Sequence, residues 1–424
     1  MKTWQRWVVT TGLAGVLCGP LGAQTIGSIS IHGSRRFSSA QIIAASGLRL
    51  GEPVNAQVLA QAAQRLSGTG AFTSVQYSYQ FQGGNIEADF QVRDNPDFLP
   101  VEFDNFVWFS RAQLQAALRT LPLYGPQLPN AEGSLTQAVQ ARLQALLRAH
   151  HLPGTVGHIT SLSPGIAPAE LLFYIRGARI EIASIRLPGS VPALANTIRA
   201  VIGAMHFGSY SRSFLQLFAL KSLRPIFRDQ GYLSVEFKHP RAEILPGKRL
   251  RVAVTLPVMP GPQYRLGSLT VDGALPQIPG NPQAEILRIS QLRPGRILHY
   301  DRLLLGLNQA ALRYSSRGYF AARLQAVAHL HPLHAMVNYH IHIHPGPAYT
   351  MGRIIVEGWG PRKDARIAKR WRLPAGAVYN QAYVNGFWRS LHGSATLQEV
   401  ARSVSHHVNV IFRNKLAAGS GLPD

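Results

Sequence analysis

The sequence contains a single cysteine, Cys18, among its 424 residues. This cysteine lies in an N-terminal segment with the features of a secretory signal peptide. Lys2 and Arg6 precede a short apolar stretch, and small residues follow it. We therefore expect residues 1–23 to be cleaved on export and the mature chain to contain no cysteine. That excludes disulfides, thiolate metal sites and cysteine nucleophiles.

Long apolar runs are also missing. The stretch from Trp7 to Cys18 is shorter than the roughly 20 apolar residues that a membrane-spanning helix needs. This length disfavours the alternative of an uncleaved N-terminal anchor. No later stretch is long and apolar enough either. We expect any contact with a membrane to be made at its surface.

Acidic residues are scarce, with 20 Asp and Glu against 43 Lys and Arg. No pair of carboxylates is spaced as in a glycosidase, and no Gly-x-Ser-x-Gly, HExxH or phosphate-binding loop occurs. Without an arrangement of acid, base or nucleophile, we expect neither an enzyme nor a bound cofactor.

The formal net charge of +23 favours acidic partners. The basic residues are spread along the chain, without the dense run of a nucleic-acid-binding arm. Export also makes nucleic acid a poor partner, so we expect none. An anionic membrane surface is a candidate partner. The alternative is a basic surface that serves only solubility.

A pattern of elements recurs at roughly 70 to 85 residues along the chain. In its clearest copy, alternating apolar residues from Ile26 predict a strand, and two short helical segments follow. Two further alternating strands flank a tight turn before Asn85, which predicts a hairpin. The predicted fold class is α+β: a tandem array of five small β-α-α-β-β domains. Each is expected to be a three-stranded sheet covered on one face by two helices.

The predicted segments are a signal peptide at 1–23, domains at 25–95, 97–177, 178–262, 263–347 and 348–415, and a tail at 416–424. The domain at 97–177 is the most divergent. Proline-rich joints separate several neighbours, at Asn95-Pro96, Pro260-Gly261-Pro262 and Pro345-Gly346-Pro347. Because proline restricts the backbone, we expect hinges of limited range at these joints.

Three short motifs recur within the domains. The fourth domain has all of them, as Val271-Asp272-Gly273, Leu292-Arg293-Pro294-Gly295 and Arg317-Gly318-Tyr319-Phe320. With these motifs the chain resembles an array of POTRA (polypeptide-transport-associated) domains. It is similar to the periplasmic part of the outer-membrane protein assembly factors of the BamA family, in which five such domains precede a barrel. We expect no barrel after the fifth domain here, and therefore do not expect the resemblance to extend to insertion of clients.

The resemblance implies a protein of the periplasm that is associated with the outer membrane and assists outer-membrane protein assembly or secretion. The implied partners are outer-membrane β-barrel proteins or a separate barrel subunit. A second hypothesis is a structural or division scaffold of the cell envelope that tethers partners through the same domains.

Edge strands are the candidate binding sites, because an extended client can add a strand there through backbone hydrogen bonds. We expect one such strand at Val235–Lys238, with Val235 and Phe237 as site residues. A second is expected at Val327–Leu330, with Val327 and His329.

Histidines alternate along the last predicted strand of the fourth domain, at His340, His342 and His344. Alternate residues of a strand share one face. If the hairpin pairs His331 with Met336, His329 joins the same face. Such a group could hold Zn²⁺ or Cu²⁺ or respond to pH. We interpret these five histidines as the polar face of a half-buried strand and predict no metal site.

Overall fold

The structure is a computed structural model that describes residues 24–82, 84–130, 133–163, 167–391 and 393–415. The predicted signal peptide and the predicted tail lie outside these residues. The described chain forms several small sheets and short helices, which confirms the α+β class. No helix among the described residues is long and apolar enough to cross a membrane.

The chain divides into two compact units. The first comprises residues up to 181 together with 209–212 and 244–251. The second comprises 182–208, 213–243 and the chain from 252 onwards.

The first small domain shows the pattern that later domains repeat. Its elements are β1 (Thr25–His32), α1 (Ser39–Ser46), α2 (Ala56–Gly68), β2 (Phe72–Gln82) and β3 (Asn85–Asp94). The strand order is β1-β3-β2, in which β1 is parallel and β2 antiparallel to the central β3. Ser38 caps α1 and Asn55 caps α2, each through a side-chain oxygen that accepts a backbone N–H. Leu59 and Leu66 of α2 and Phe90 of β3 are fully buried.

The second domain has one strand more than the sequence predicted. Its elements are β4 (Phe98–Phe103), α3 (Arg111–Leu118), β5 (Gln127–Pro129), α4 (Ser134–Ala149), β6 (Thr155–Ser163) and β7 (Ala167–Arg176). The order is β5-β4-β7-β6. The additional strand β5 lies between the two helices in sequence. It is too short for an alternating pattern to reveal it.

The third domain departs furthest from the predicted pattern. Its elements are β8 (Glu181–Arg186), α5 (Ala195–Ala204), α6 (Arg212–Phe218), α7 (Arg224–Asp229), β9 (Glu236–Phe237), β10 (Arg241–Leu245), β11 (Arg251–Thr255) and β12 (Val258–Met259). The strands form a sheet of order β10-β11-β8 and a pair of β12 with β9. The second of the two helices expected in this domain is interrupted by a π-helical turn at Ala219–Leu223. Pro225 follows this turn and cannot donate the helical hydrogen bond, which explains the interruption.

The last two domains repeat the topology of the first. Their elements are β13 (Arg265–Asp272), α8 (Pro282–Ser290), α9 (Tyr300–Ser315), β14 (Arg323–His331) and β15 (Met336–His344), then β16 (Thr350–Glu357), α10 (Pro361–Lys369), α11 (Gln381–Arg389), β17 (Ala395–Arg402) and β18 (His407–Asn414). The strand orders are β13-β15-β14 and β16-β18-β17. In both sheets the first strand is parallel to the central strand.

A glycine after the second helix binds the start of the following domain. The carbonyl of Gly231 accepts a hydrogen bond from the Tyr264 N–H at 2.8 Å, and that of Gly318 accepts one from Tyr349 at 2.6 Å. Both glycines have positive φ, +84° and +93°. The Gly-Tyr motif of the sequence therefore has a structural cause, because a positive φ favours glycine.

We predict that Gly318→Ala destabilises the fifth domain by about 1–3 kcal/mol. A Cβ at this position would lie 3.1 Å from both the Tyr349 carbonyl oxygen and Val378 Cγ1. The positive φ of Gly318 is also a backbone conformation that residues with a side chain rarely adopt. Chemical unfolding followed by tryptophan fluorescence would measure the change, since Trp359, Trp371 and Trp388 all lie in this domain.

Gly386→Ala is the matched control in the same domain. Gly386 is exposed within α11, and its added Cβ would meet nothing within 4 Å. Alanine is the better helix former, so this change should stabilise the domain by up to about 1 kcal/mol. Equal effects of the two substitutions would contradict the role given to the junction glycine.

Candidate functional site on the open edge strands

One edge of each repeated sheet is covered by the connector between the two helices. In each of these sheets, a backbone N–H near the start of the first strand donates to a carbonyl oxygen of the connector. The pairs are Ile26 with Glu52 at 3.1 Å, Leu266 with Arg296 at 2.9 Å, and Met351 with Ala377 at 2.7 Å. The same strands contain a register shift close to this point. In the second domain, β5 itself occupies the connector position and pairs with β4. Bulges and covering segments both protect a sheet edge from further pairing.

The opposite edge is open. Strands β2, β14 and β17 each pair on one side only, and in the part of the chain that the structure describes no strand pairs with their other side. The pairing of β14 with β15 runs without interruption from Arg323 to His331, and that of β17 with β18 from Ala395 to Arg402. A long regular strand of this kind presents a row of backbone N–H and C=O groups to an added strand.

Two of the four predicted edge residues lie on such a strand. Val327 is half-buried opposite His340, and His329 is exposed opposite Asn338, both on β14. The prediction for the third domain is wrong in its bounds. Val235 precedes β9. It is only 5% exposed, because its side chain packs in the domain core. Phe237 does lie on β9, but that strand has only two residues, too few to offer a long row of backbone groups to an added strand.

Strand β2 adds exposed aromatic side chains that the sequence analysis did not identify as site residues. Tyr77, Tyr79 and Phe81 pair with buried residues of β3, yet they are 37%, 36% and 64% exposed. Tyr79 and Phe81 also contact each other edge to face, with ring centroids 5.6 Å apart. Their alternation along an edge strand was the available signal. Apolar side chains beside an open edge give pockets for the alternate side chains of an added strand.

The first unit contains a group of three charged residues, two of which are buried. Arg111 forms a bidentate ion pair with Glu102, with N–O distances of 2.8 and 2.9 Å. Arg212 approaches the same carboxylate at 2.5 Å, and both of these side chains are almost completely buried. The Arg212 atom that approaches Glu102 is Nη1, whereas its Nε and Nη2 atoms have no hydrogen-bond partner among the described residues. Among those residues, Glu102 is the carboxylate within ion-pair distance of Arg212.

The environment shifts the pKa values of two carboxyl groups in this region, Glu102 and Glu170, in opposite directions. Burial alone would raise the pKa of Glu102, but the hydrogen bond from Arg111 and the charge of Arg212 outweigh it and lower that pKa. Burial and the neighbouring charge of Glu102 raise the pKa of Glu170. Shifted carboxyls can indicate catalysis, but here the pKa of Glu102 follows from its ion pairs with two arginines, and that of Glu170 follows from burial and the charge of Glu102. We assign the group a structural role.

We predict that Glu102→Gln destabilises the first unit by about 3–5 kcal/mol, because it removes the carboxylate that forms an ion pair with the buried Arg212. The wild-type pair should be fully stabilising at neutral pH and lose its contribution as the pH falls through the lowered pKa of Glu102. Hydrogen exchange of the second domain across this pH range would measure both effects.

Glu181→Gln removes an exposed ion pair with Arg249, at 4.0 Å, and serves as the control. Its cost should stay below about 1 kcal/mol. Glu170→Gln should not destabilise, since the raised pKa means that burial and Glu102 already disfavour the charged form of this carboxyl. A Glu102→Gln protein as stable as the Glu181→Gln protein would contradict the assignment.

The predicted histidine face is present, but only part of it forms a cluster. His329 lies opposite Asn338 and His331 opposite Met336, as the sequence analysis supposed. His340 and His342 lie close to Asp272, whereas His344 does not belong to this group. Asp272 was not among the predicted site residues, because its strand β13 is far from β15 in the sequence and lies beside it only in the folded domain.

A parallel pair of first and last strands, a closing hairpin and two helices on one face define a small α+β domain that recurs along this chain. Residues 24–95 match the POTRA family, described as a surface antigen variable number repeat. The first domain therefore matches the POTRA family, and the strand orders of the fourth and fifth domains repeat that of the first.

Solved structures with matching regions include POTRA domains 3–5 of BamA from Haemophilus influenzae, at 20% identity and a TM-score of 0.47, covering 59% of this chain and 100% of that one. The N-terminal domain of Omp85 from Thermosynechococcus elongatus matches at 20% identity and a TM-score of 0.25, covering 55% and 96%. CdiB from Escherichia coli matches at 15% identity and a TM-score of 0.18, covering 49% of this chain and 33% of CdiB.

Proposed function

We propose that the protein is a periplasmic array of five POTRA domains, with the boundaries predicted from the sequence. In this proposal it binds unfolded outer-membrane β-barrel proteins, or a partner protein, by strand addition and thereby assists outer-membrane protein assembly or secretion. One observation carries the proposal. Each repeated sheet has one edge protected by its connector and one edge left open.

Strand addition suits a client that is extended and variable in sequence. The affinity comes from main-chain hydrogen bonds, which every residue except proline can form. Side chains of the edge strand then set a modest preference. On β14 these side chains include the half-buried Val327 and Leu330, which is 38% exposed. Barrel strands, which alternate apolar and polar residues, match such an edge.

The alternative is a scaffold of the cell envelope that tethers folded partners through the same domains. The open edges support the first function more directly, because a folded partner rarely offers a free strand. The two functions differ in the proteins that they bring into contact with β14.

We predict that a photo-crosslinking residue at His329 captures outer-membrane β-barrel proteins in cells. His329 is exposed on the open strand, so an added strand would lie beside it. The same residue at Ser268, which is exposed on β13 next to its register shift, is the control and should capture few of them. Mass spectrometry of the crosslinked products gives the measurement. Capture of envelope scaffold proteins alone would favour the alternative.

Proline substitutions at Val327 and Ala328 would test the role of backbone hydrogen bonds. Neighbouring residues of a strand direct their N–H groups to opposite edges, so one of the two prolines removes an N–H from the open edge only. That variant should keep its melting temperature and bind a barrel-strand peptide several-fold more weakly. If the peptide binds both variants as it binds the wild type, strand addition at β14 is disproved.

An anionic membrane surface is the second partner that we propose, and helix α10 is the contact. Six cations occur between Arg362 and Arg372, all exposed, against the single carboxylate of Asp364. That carboxylate accepts the backbone N–H of Trp359. Ile367 is the buried residue of this helix. Basic residues occur all along the chain, and this helix with the residues just after it carries a local concentration of them.

Such a helix attracts anionic headgroups over a short range. Each Lys or Arg near an anionic surface contributes about 1 kcal/mol, within a Debye length of about 8 Å at physiological salt. None of the described residues forms an ion pair with Lys363 or Arg366, so these charges are available to the surface.

We predict that the full chain co-sediments with phosphatidylglycerol vesicles and not with phosphatidylcholine vesicles. Lys363→Glu with Arg366→Glu should weaken this binding at least about tenfold. Arg288→Glu with Arg293→Glu changes the net charge equally at exposed positions of the fourth domain and is the control. An equal loss in both double variants would show that overall charge, and not α10, determines binding.

A further inference from the structure

Asp272, His340 and His342 bring three donor side chains together on the fourth sheet. The Nε2 atom of His340 lies 3.2 Å from one carboxylate oxygen of Asp272, and the Nδ1 atom of His342 lies 2.7 Å from the other. The donor atoms of the three residues all lie within 4.8 Å of one another. The side chains are 49%, 36% and 40% exposed, so solvent reaches the group.

The sheet determines this arrangement. His340 and His342 are two residues apart on the central strand β15 and share a face. Parallel pairing with β13 places Asp272 beside His342 and Thr270 beside His340. All four residues therefore lie on two neighbouring strands of one sheet, which holds their backbones in a fixed register.

Thr270 orients the ring of His340. Its hydroxyl donates to the Tyr339 carbonyl at 3.4 Å, and its oxygen lies 2.7 Å from His340 Nδ1. The hydroxyl oxygen is thus available to accept a hydrogen bond from Nδ1–H. In the neutral ring, Nε2 then carries a lone pair that faces the Asp272 carboxylate. This tautomer presents two electron-rich atoms, 3.2 Å apart, to a shared cation, whereas the other tautomer donates its Nε2–H to Asp272.

We propose that this group is a binding site for Zn²⁺, with His340 Nε2, His342 Nδ1 and an Asp272 oxygen as ligands. Two imidazoles and a carboxylate are the donors that zinc accepts, and three protein ligands leave a fourth position for water or for a partner's side chain. The hydrogen bond from Nδ1–H to Thr270 is the outer contact that orients a metal-binding histidine.

The surroundings define the extent of the site. His344 follows on the same face, with its ring centroid 6.4 Å from that of His342, and Arg323 pairs with His344 across the hairpin. His329 and His331 belong to the neighbouring strand β14 and lie outside the group. Only two of the five histidines noted in the sequence are therefore ligands.

Isothermal titration of the tag-free full chain with ZnCl₂ tests the proposal, after treatment with a chelator. We expect one ion to bind per chain, and Co²⁺ at the same site to give the visible spectrum of a four-coordinate ion. Asp272→Asn and His342→Gln should abolish both signals. Circular dichroism would establish that each variant is folded.

Two further variants distinguish zinc binding at this group from nonspecific zinc binding by surface histidines. Thr270→Val keeps the shape of the side chain and removes the outer hydrogen bond, so it should weaken zinc binding by about 10- to 100-fold. His329→Gln removes a histidine outside the group and should leave the affinity unchanged. Absence of zinc binding to the wild type, or equal losses in His329→Gln and His342→Gln, would overturn the proposal.

Discussion

The parallel pairing of first and last strand is the interaction on which the repeated domains depend. Parallel neighbours cannot be joined by a tight turn, so the chain must cross over between them, and the two helices make this crossing. The last strand then becomes the central strand, and its inward side chains, such as Phe90, Ile341 and Phe412, are completely buried. The remaining strand of the hairpin is left at the rim with one side unpaired. The open edge is thus a direct consequence of the pairing that builds the core.

The same pairing explains why two sites share one sheet in the fourth domain. Strand β15 bonds to β13 on one side and to β14 on the other. On the first side it brings His340 and His342 to Asp272, and on the second it supports the strand that we propose for clients. A change that disturbs β15 would affect both sites, whereas changes to Asp272 or to the outer side of β14 would affect one.

Local patterns in the sequence predicted the local elements well. The strand expected from Ile26 onwards is present as β1, and the hairpin that pairs His331 with Met336 has the expected register. Both depend on periodicity and turn chemistry, which act over a few residues. The contact of Asp272 with His342 spans 70 residues and is set by the fold, so no spacing revealed it. Strand β5 and the interrupted helix before Pro225 were missed because their signals cover only three to five residues.

The two proposed binding surfaces use forces that respond differently to the solution. Strand addition relies on short-range backbone hydrogen bonds, which salt hardly screens, whereas α10 acts through exposed charge, which salt screens within about 3 Å at 1 M. The aromatic side chains of β2 would act together with strand addition, because burial of apolar area is not weakened by salt. Client binding and membrane binding should therefore separate when the ionic strength is raised. A protein held at an anionic surface by α10 would keep its open edges available, since the cations lie on a helix and the unpaired backbone groups lie on the rim strands.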